Sequence, residues 1–189
     1  MDTTATPPDE PVATTARPDE PVATTARPDA KRPLTPLAGP YGHPFHPILV
    51  TVPIGAWVAS IVFDLVSHRS GEAEVFVKAS FWLIGLGILG ALAAAVFGLL
   101  DLLTIPRGTR AFRRGLTHMA LNLAVVALFA ISFALRRDHL DEGDVTIAGF
   151  VFSAVALALL AISGWLGGEL AYRYGVRVAD EETQAEGYT

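Results

Sequence analysis

The stretch Gly42-His43-Pro44-Phe45-His46-Pro47-Ile48-Leu49-Val50-Thr51-Val52-Pro53 opens a long apolar run, and the rest of the chain is organised around it. Each of its two histidines precedes a proline, which disfavours helical backbone at the residue before it. Pro47 suits the first position of a helix, where no backbone N–H is needed. We therefore predict a helix that begins at Pro47, with His43 and His46 on extended backbone and His46 at the N-cap.

Four apolar segments follow one another from this point. They are about His46–Val66, Ala79–Leu103, Leu116–Leu135 and Val145–Ala171. Each is close to the roughly 20 residues that cross a bilayer core as a helix. A soluble bundle would show one polar face per helix, whereas these segments are apolar nearly all round. The sequence predicts an all-α integral membrane four-helix bundle over residues 39–178, with antiparallel neighbours because the connections are short.

The two ends of the chain differ in composition from this apolar region. The ten residues Pro8–Arg17 are repeated without change as Pro18–Arg27. Such a low-complexity tract buries too little apolar surface to offset the entropy of ordering it. We predict a disordered tail over residues 1–38, with a docking arm or spacer as the alternative, and an acidic C-terminal tail over residues 179–189.

The composition of the chain excludes several kinds of cofactor and partner. The chain of 189 residues has no cysteine, which excludes a disulfide, a thiolate-held iron–sulfur cluster and covalently attached c-type haem. The formal net charge of -5 resides mainly in the two tails and does not indicate a nucleic-acid partner. The first apolar segment lies too far from the N-terminus for a signal peptide. No serine or cysteine nucleophile motif accompanies the histidines, which disfavours a hydrolytic enzyme and leaves open whether the protein is an enzyme.

The distribution of lysine and arginine indicates the orientation. One side of the predicted bundle carries Lys31, Arg32, Arg107, Arg110, Arg113, Arg114, Arg173 and Arg177, and the other carries Arg69, Lys78, Arg136 and Arg137. Acidic residues near Arg136 and Arg137 reduce the net positive charge of the second set. The positive-inside rule therefore predicts a multi-pass protein of the bacterial inner membrane with both termini in the cytoplasm.

Small residues recur four apart in two of the segments. They are Gly90, Ala94 and Gly98 in the second segment, and Gly164 and Gly168 in the fourth. Small residues at this spacing let helix backbones approach closely in lipid. We predict that these faces pack inside the monomer, with a homo-oligomer formed through them as the alternative.

Antiparallel order brings several polar residues to the cytoplasmic side. They are His43, His46, Asp101, His118 and Glu169, and Asn122 lies one turn from His118 on the same helix face. His118 lies about one turn inside its helix, so its depth roughly matches that of His46. Ionisable residues in membrane spans are costly and therefore point to a function.

Three interpretations of this polar cluster remain open. In the first, the residues only cap and pack the helix ends of a binding or assembly protein, with Glu169 paired to Arg173. In the second, His46 and His118 are the axial ligands of a b-type haem. The third is a divalent metal or proton site, formed by His43, His46, Asp101, His118 and Glu169.

Asp64 is expected at the membrane surface opposite His46. It follows His46 by eighteen residues, or five helical turns, and therefore lies about 27 Å away along the same helix face. We predict that Asp64 pairs with His68, one turn later.

Several motifs give the chain a family resemblance. They are Gly42–Pro47 with Pro53 and Asp64, then Gly98–Asp101 with Arg113, His118 and Asn122, and finally Gly164–Val176. Over roughly residues 40–178 these motifs resemble a bacterial family of small four-helix membrane proteins of unknown function. Some members of that family are fused to Rieske-type iron–sulfur domains. The resemblance therefore implies a four-span membrane fold, contact with the lipid bilayer and a redox setting with a redox partner protein.

Overall fold

The computed structural model describes residues 28–189, so the decapeptide repeats of the predicted tail lie outside the described residues. Within that range the chain is helical and has no β-strand. Its α-helices are α1 (Phe45–Leu49), α2 (Thr51–Ser67), α3 (Ala73–Leu103), α4 (Arg110–Arg136), α5 (Ile147–Gly168) and α6 (Glu181–Ala185).

Four helical stretches are long and apolar enough to cross a membrane, which confirms the predicted four-span, all-α fold. They are Phe45–Ser67, Ala73–Leu103, Arg110–His139 and Ile147–Arg173. The second begins about two turns before the predicted start at Ala79. Lys78 pairs there with Glu74 one turn before it and with Asp141 of the facing connection, so polar contacts carry the helix beyond its apolar part.

The first span is interrupted at Val50, and its helix begins earlier than we predicted. Helix α1 starts at Phe45, with Pro44 as the residue before it, so His46 is helical and not an extended N-cap. Proline is tolerated at Pro47 because the N–H groups of a first helical turn have no partner in the helix. Pro53 explains the break between α1 and α2, since a proline removes the hydrogen bond to the carbonyl four residues earlier, here that of Leu49.

The long helices form an up-and-down bundle in which α2 and α4 each pack against both α3 and α5. Helices α2 and α4 therefore face each other across the diagonal. Large side chains bridge that diagonal: the rings of Trp57 and Phe129 stack with centroids 4.2 Å apart at an interplanar angle of 8°. Ile84 and Ala156 complete this buried core from the other two helices.

Three contact pairs lie along the diagonal, and each pair is separated by 72 residues. They are His46 with His118, Trp57 with Phe129, and Asp64 with Arg136. Helices α2 and α4 run in the same direction, so equal spacing puts partners at equal depth. The bundle is thus two similar helical pairs related by an approximate two-fold axis along the membrane normal, a recurrent arrangement in membrane proteins.

The glycines of α3 serve close packing inside the monomer, as predicted. A Cβ on Gly90 would lie 2.9 Å from a side-chain carbon of Val52, and one on Gly87 would overlap the Trp57 ring. Gly164 and Gly168 of α5 differ, because a Cβ added there would meet nothing within 4 Å. The prediction that Gly164 and Gly168 pack inside the monomer is therefore wrong, and self-association through this second face stays the untested alternative.

Candidate functional site

Two imidazoles meet on the bundle axis at the end of the molecule that holds the start of α4 and the end of α3. His46 comes from α1 and His118 from α4. Their ring centroids are 6.3 Å apart and their planes are nearly perpendicular, at 87°. The sequence predicted equal depth for these two residues, and the fold makes them direct neighbours.

The His46 ring is held by helix α3. Its Nδ1 lies 2.9 Å from the carbonyl oxygen of Ala94. A carbonyl oxygen only accepts hydrogen bonds, so Nδ1 carries the proton and Nε2 carries the lone pair. One turn further, a Cβ on Gly98 would lie 2.9 Å from Cε1 of the ring. A glycine at this position therefore leaves room for the imidazole to pack against the helix.

Helix α5 holds the His118 ring in the same way. Its Nδ1 lies 2.8 Å from the carbonyl oxygen of Ser163, and a Cβ on Gly167 would lie 3.1 Å from Cε1 of the ring. On α3 and on α5 alike, the residue whose carbonyl anchors the histidine and the glycine that supports its ring are thus four residues apart. Again Nδ1 must donate, which leaves the lone pair on Nε2.

The side-chain amide of Asn122 lies against the His118 ring. Its amide nitrogen lies 2.9 Å from the carbonyl oxygen of His118, 2.8 Å from Oγ of Ser163 and 3.1 Å from Nε2 of His118. An amide has only two N–H groups. Three acceptors therefore share these two N–H groups, and Nε2 of His118 is the most distant of the three.

Asp101 and Arg177 form a second buried pair at this end. Nε of Arg177 lies 2.8 Å from Oδ1 of Asp101, and both side chains are almost fully buried. Arg177 belongs to the segment after the last span, and its Nη2 donates to the carbonyl oxygens of Ala38 and Gly39. Asp101 thus has a protein cation as its partner, although the position of Arg177 after the last apolar segment indicated only a charge outside the membrane.

Within residues 28–189, Glu169 and His43 form no hydrogen bond with His46 or His118. Glu169 sits in a wider π-helical turn, Glu169–Arg173, and contacts Arg114 at 3.3 Å and Arg173 at 3.2 Å. The expected pairing with Arg173 is present, whereas the contact with Arg114 was not anticipated. The side chain of His43 is exposed. Among residues 28–189 no three His, Asp or Glu side chains are grouped as metal ligands.

The terminal segments are joined by hydrogen bonds. Tyr41 Oη donates to Oδ2 of Asp180 at 2.8 Å and accepts from the backbone N–H of the same residue. The backbone N–H of Thr183 also donates to the Asp180 carboxylate. These hydrogen bonds, that of the Thr183 backbone above all, lower the pKa of Asp180 to about 2.

A buried ion pair at the far end of the axis corrects two predictions. Arg136 donates to both carboxylate oxygens of Asp64, at 2.6 and 2.7 Å, and both side chains are buried. The prediction that the Asp64 carboxylate pairs with His68 is wrong, because the His68 ring contacts only the backbone carbonyl of Asp64. Arg136, which the orientation argument counted among the charges of this side of the bundle, is instead buried.

Serine hydroxyls complete the shell around this guanidinium. Nε of Arg136 donates to Ser132, and its terminal nitrogens lie 3.4 Å from Ser80 and Ser153. Every nitrogen of the group therefore has a partner, as the low-dielectric interior of a membrane protein requires. The signal in the sequence was the matching interval: Asp64 follows His46, and Arg136 follows His118, by eighteen residues each.

Comparison with protein-family models gives a match over residues 42–180 to the family described as "Predicted membrane protein (DUF2231)". The chain belongs to this family. Comparisons with curated proteins and with solved structures give no match. The shared region of the DUF2231 family begins just before His43 and ends at Asp180, so it contains both ion pairs and both anchored imidazoles. Membership supports a membrane protein in contact with lipid.

Proposed function

We propose that the protein is a b-type haem protein of the bacterial inner membrane in which His46 and His118 are the axial ligands. The observation that carries the proposal is the pair of facing imidazoles, each anchored through Nδ1 to a backbone carbonyl. Anchoring of this kind fixes the ring and leaves Nε2 as the ligating nitrogen, as is usual for histidines that bind metal.

The separation of the two rings supports a single metal atom between them. A metal–nitrogen bond of about 2 Å on each side, with about 1 Å from each nitrogen to its ring centre, places two axial imidazole centres about 6 Å apart. The observed separation is 6.3 Å.

The ligand count favours haem over a divalent cation. A protein-bound metal ion of that kind takes three or four protein ligands. Within residues 28–189 Asp101 is paired with Arg177 and Glu169 with two arginines, and no group of three ligands is present. Haem requires only two side chains, because its own ring supplies the remaining nitrogens.

When bound, haem would supply one-electron transfer in the membrane. The residues of the chain position it: two helices present the imidazoles, and two glycines give them room. The resemblance to proteins fused to Rieske-type domains supports a redox partner protein. The arginine-rich connection after α3 supports an orientation with both termini in the cytoplasm.

The second candidate is a membrane binding or assembly protein without a cofactor. It is favoured by the edge-to-face geometry of the rings, since aromatic pairs in direct contact adopt centroid separations of about 4.5–7 Å. In this case the two histidines tie four helices together and have no ligand.

The discriminating experiment uses the complete protein expressed with ample haem precursor and purified in detergent. We expect a Soret band that shifts on dithionite reduction and about one haem per chain, since two axial ligands serve one iron. His46→Ala and His118→Ala should each remove most of the haem, and His68→Ala and His139→Ala at the other end should remove none. A colourless wild-type protein would overturn the haem proposal and leave the cofactor-free candidate.

A further inference from the structure

We infer that the connection between α3 and α4 binds the headgroups of anionic phospholipids. The basis is a group of three exposed arginines, Arg107, Arg110 and Arg113, which we call the arginine patch. The inference does not depend on the haem proposal, because it concerns the surface of the molecule at the membrane boundary and not the bundle axis.

The protein does not balance the charges of the arginine patch. Within residues 28–189 none of its three guanidinium groups forms an ion pair. The neighbouring Arg114 differs, because its Nε lies 3.3 Å from Oε2 of Glu169. The adjacent sequence offers no further carboxylate, since no aspartate or glutamate occurs between Asp101 and Asp138. The patch therefore presents three uncompensated positive charges to its surroundings.

These positions are unfavourable for the folded chain by itself. Helix α4 begins at Arg110 with Thr109 as its N-cap, and its first turn has no acidic residue. The N-terminus of a helix carries partial positive charge, which repels cations placed there. Arg113 folds back over this end, and its Nη1 donates to the carbonyl oxygen of Gly108, the residue after Arg107, at 3.1 Å. Like charges are thus gathered in one place, and an anionic ligand would offset their repulsion.

The arginine patch lies at the depth of the lipid headgroups. Leu103, the last residue of α3, is 53% exposed, and Leu116 of α4 is 40% exposed, as expected of leucines that contact acyl chains. Arg113 precedes Leu116 by three residues on the same helix, which is about 4.5 Å along its axis. The headgroup layer is about 5–7 Å thick on each side of a bilayer. Lipid phosphates, which guanidinium groups bind strongly, therefore lie within reach of the patch.

The other membrane surface has a different distribution of charge. Its connection between α4 and α5 contains four acidic residues, Asp138, Asp141, Glu142 and Asp144. Lys78 is paired there with two carboxylates. Arg69 and Arg137 are exposed at this surface and form no ion pair within residues 28–189, but they belong to different connections. These two arginines therefore provide a matched comparison for the patch.

The test measures thermal unfolding of the full-length protein in detergent to which lipid is added. A ligand that binds only the folded state raises the unfolding temperature. We expect phosphatidylglycerol, which is anionic, to raise it more than zwitterionic phosphatidylcholine. In the variant Arg107→Gln with Arg110→Gln, the concentration of phosphatidylglycerol that gives half of the rise should increase about tenfold, because two cations near the headgroup are lost. Inorganic phosphate at the same concentration should have no effect, since it has no acyl chains.

The matched control is Arg69→Gln with Arg137→Gln, which removes the same charge from exposed positions at the other surface and should respond as the wild type does. Arg107→Lys with Arg110→Lys keeps the charge and should retain most of the response, which excludes a structural effect of the glutamines. If the glutamine variant of the patch does not fold, sodium chloride replaces it. The wild-type response should then fall several-fold between about 0.05 and 0.5 M salt, because salt screens exposed charges.

Three results would overturn the inference. The first is an equal loss of the response in both glutamine variants, which would indicate general attraction between charges. The second is an equal rise with inorganic phosphate, which would indicate a soluble anion. The third is a wild-type protein that responds equally to both lipids, or whose response salt does not change. That result would leave an acidic protein surface as the partner of the arginine patch.

Discussion

Arg136 and Asp64 illustrate at the scale of single residues how a charge pair survives in a membrane interior. The bidentate contact neutralises both charges, and three serine hydroxyls accept the remaining N–H groups. The network joins helices α2 and α4 across the diagonal and touches α3 and α5 through Ser80 and Ser153. It therefore fixes the relative depth of all four helices.

Removing one partner of this pair should be strongly destabilising. Arg136→Ala or Asp64→Ala leaves a buried charge without compensation, at a cost of about 3–5 kcal/mol. Thermal unfolding in detergent measures the loss, and Arg137→Ala, at an exposed neighbouring position, is the matched control. The approximate two-fold arrangement further predicts that the exchange of both residues, Asp64→Arg with Arg136→Asp, recovers part of the stability. A double exchange no better than either single alanine would contradict that equivalence.

The two glycines beneath the imidazoles allow a second prediction at this scale. Gly98→Ala and Gly167→Ala each introduce a Cβ at 2.9 or 3.1 Å from a histidine ring and should cost about 1–3 kcal/mol. Gly164→Ala and Gly168→Ala meet open space and should be neutral or slightly stabilising, because alanine favours helix over glycine. Unfolding curves of the four variants provide the measurement, and equal effects in both pairs would show that the rings are not held against these helices.

At the scale of whole helices, the sequence predicted the four spans but misplaced the start of α1. Apolar length and short connections were sufficient to predict four antiparallel spans, because they follow from the thickness of the bilayer. The start of α1 was misplaced because the rule for residues before proline acts locally, whereas packing on α3 holds His46 in helical backbone. The equal depth of His46 and His118 followed from helix order alone.

Contacts between distant elements could not be predicted in this way. The partner of Asp64 is 72 residues away, and that of Asp101 is 76 residues away beyond the last span. Charge counting treated Arg136 and Arg177 as loop residues, since nothing local indicates that an arginine is buried. Only the repeated interval of eighteen residues between His46 and Asp64, and between His118 and Arg136, related the two ends of the axis.

The segment before the first span leads to a prediction about truncation. Residues 30–39 contact the C-terminal segment through Ala30, Lys31, Ala38 and Gly39. Deleting residues 2–27 should leave membrane insertion and thermal stability unchanged, whereas deleting residues 2–39 should lower stability by removing the acceptors of Arg177. Size-exclusion profiles and unfolding temperatures of the two truncated proteins distinguish these outcomes. A large loss from the shorter deletion would show that the repeats contribute to the fold.

The charge distribution concerns the whole molecule and its orientation. Arg136 is buried against Asp64 and Arg177 against Asp101, so neither counts as a loop charge, and the excess of lysine and arginine at the end that holds Arg107–Arg114 is unchanged. Reporter fusions at Gly108 and after Thr189 should therefore report the cytoplasm, and a fusion at Asp141 the other side of the membrane. The same location for Gly108 and Asp141 would contradict the four-span topology.

The approximate two-fold axis passes between His46 and His118, where we propose that haem iron binds. The measurement that tests it most directly is low-temperature electron paramagnetic resonance of the purified ferric protein. Two axial imidazoles give low-spin iron, and the 87° angle between the rings predicts the strongly anisotropic low-spin signal of perpendicular imidazole planes. A high-spin ferric signal, or no haem signal from protein expressed with ample haem, would contradict the assignment of these two histidines.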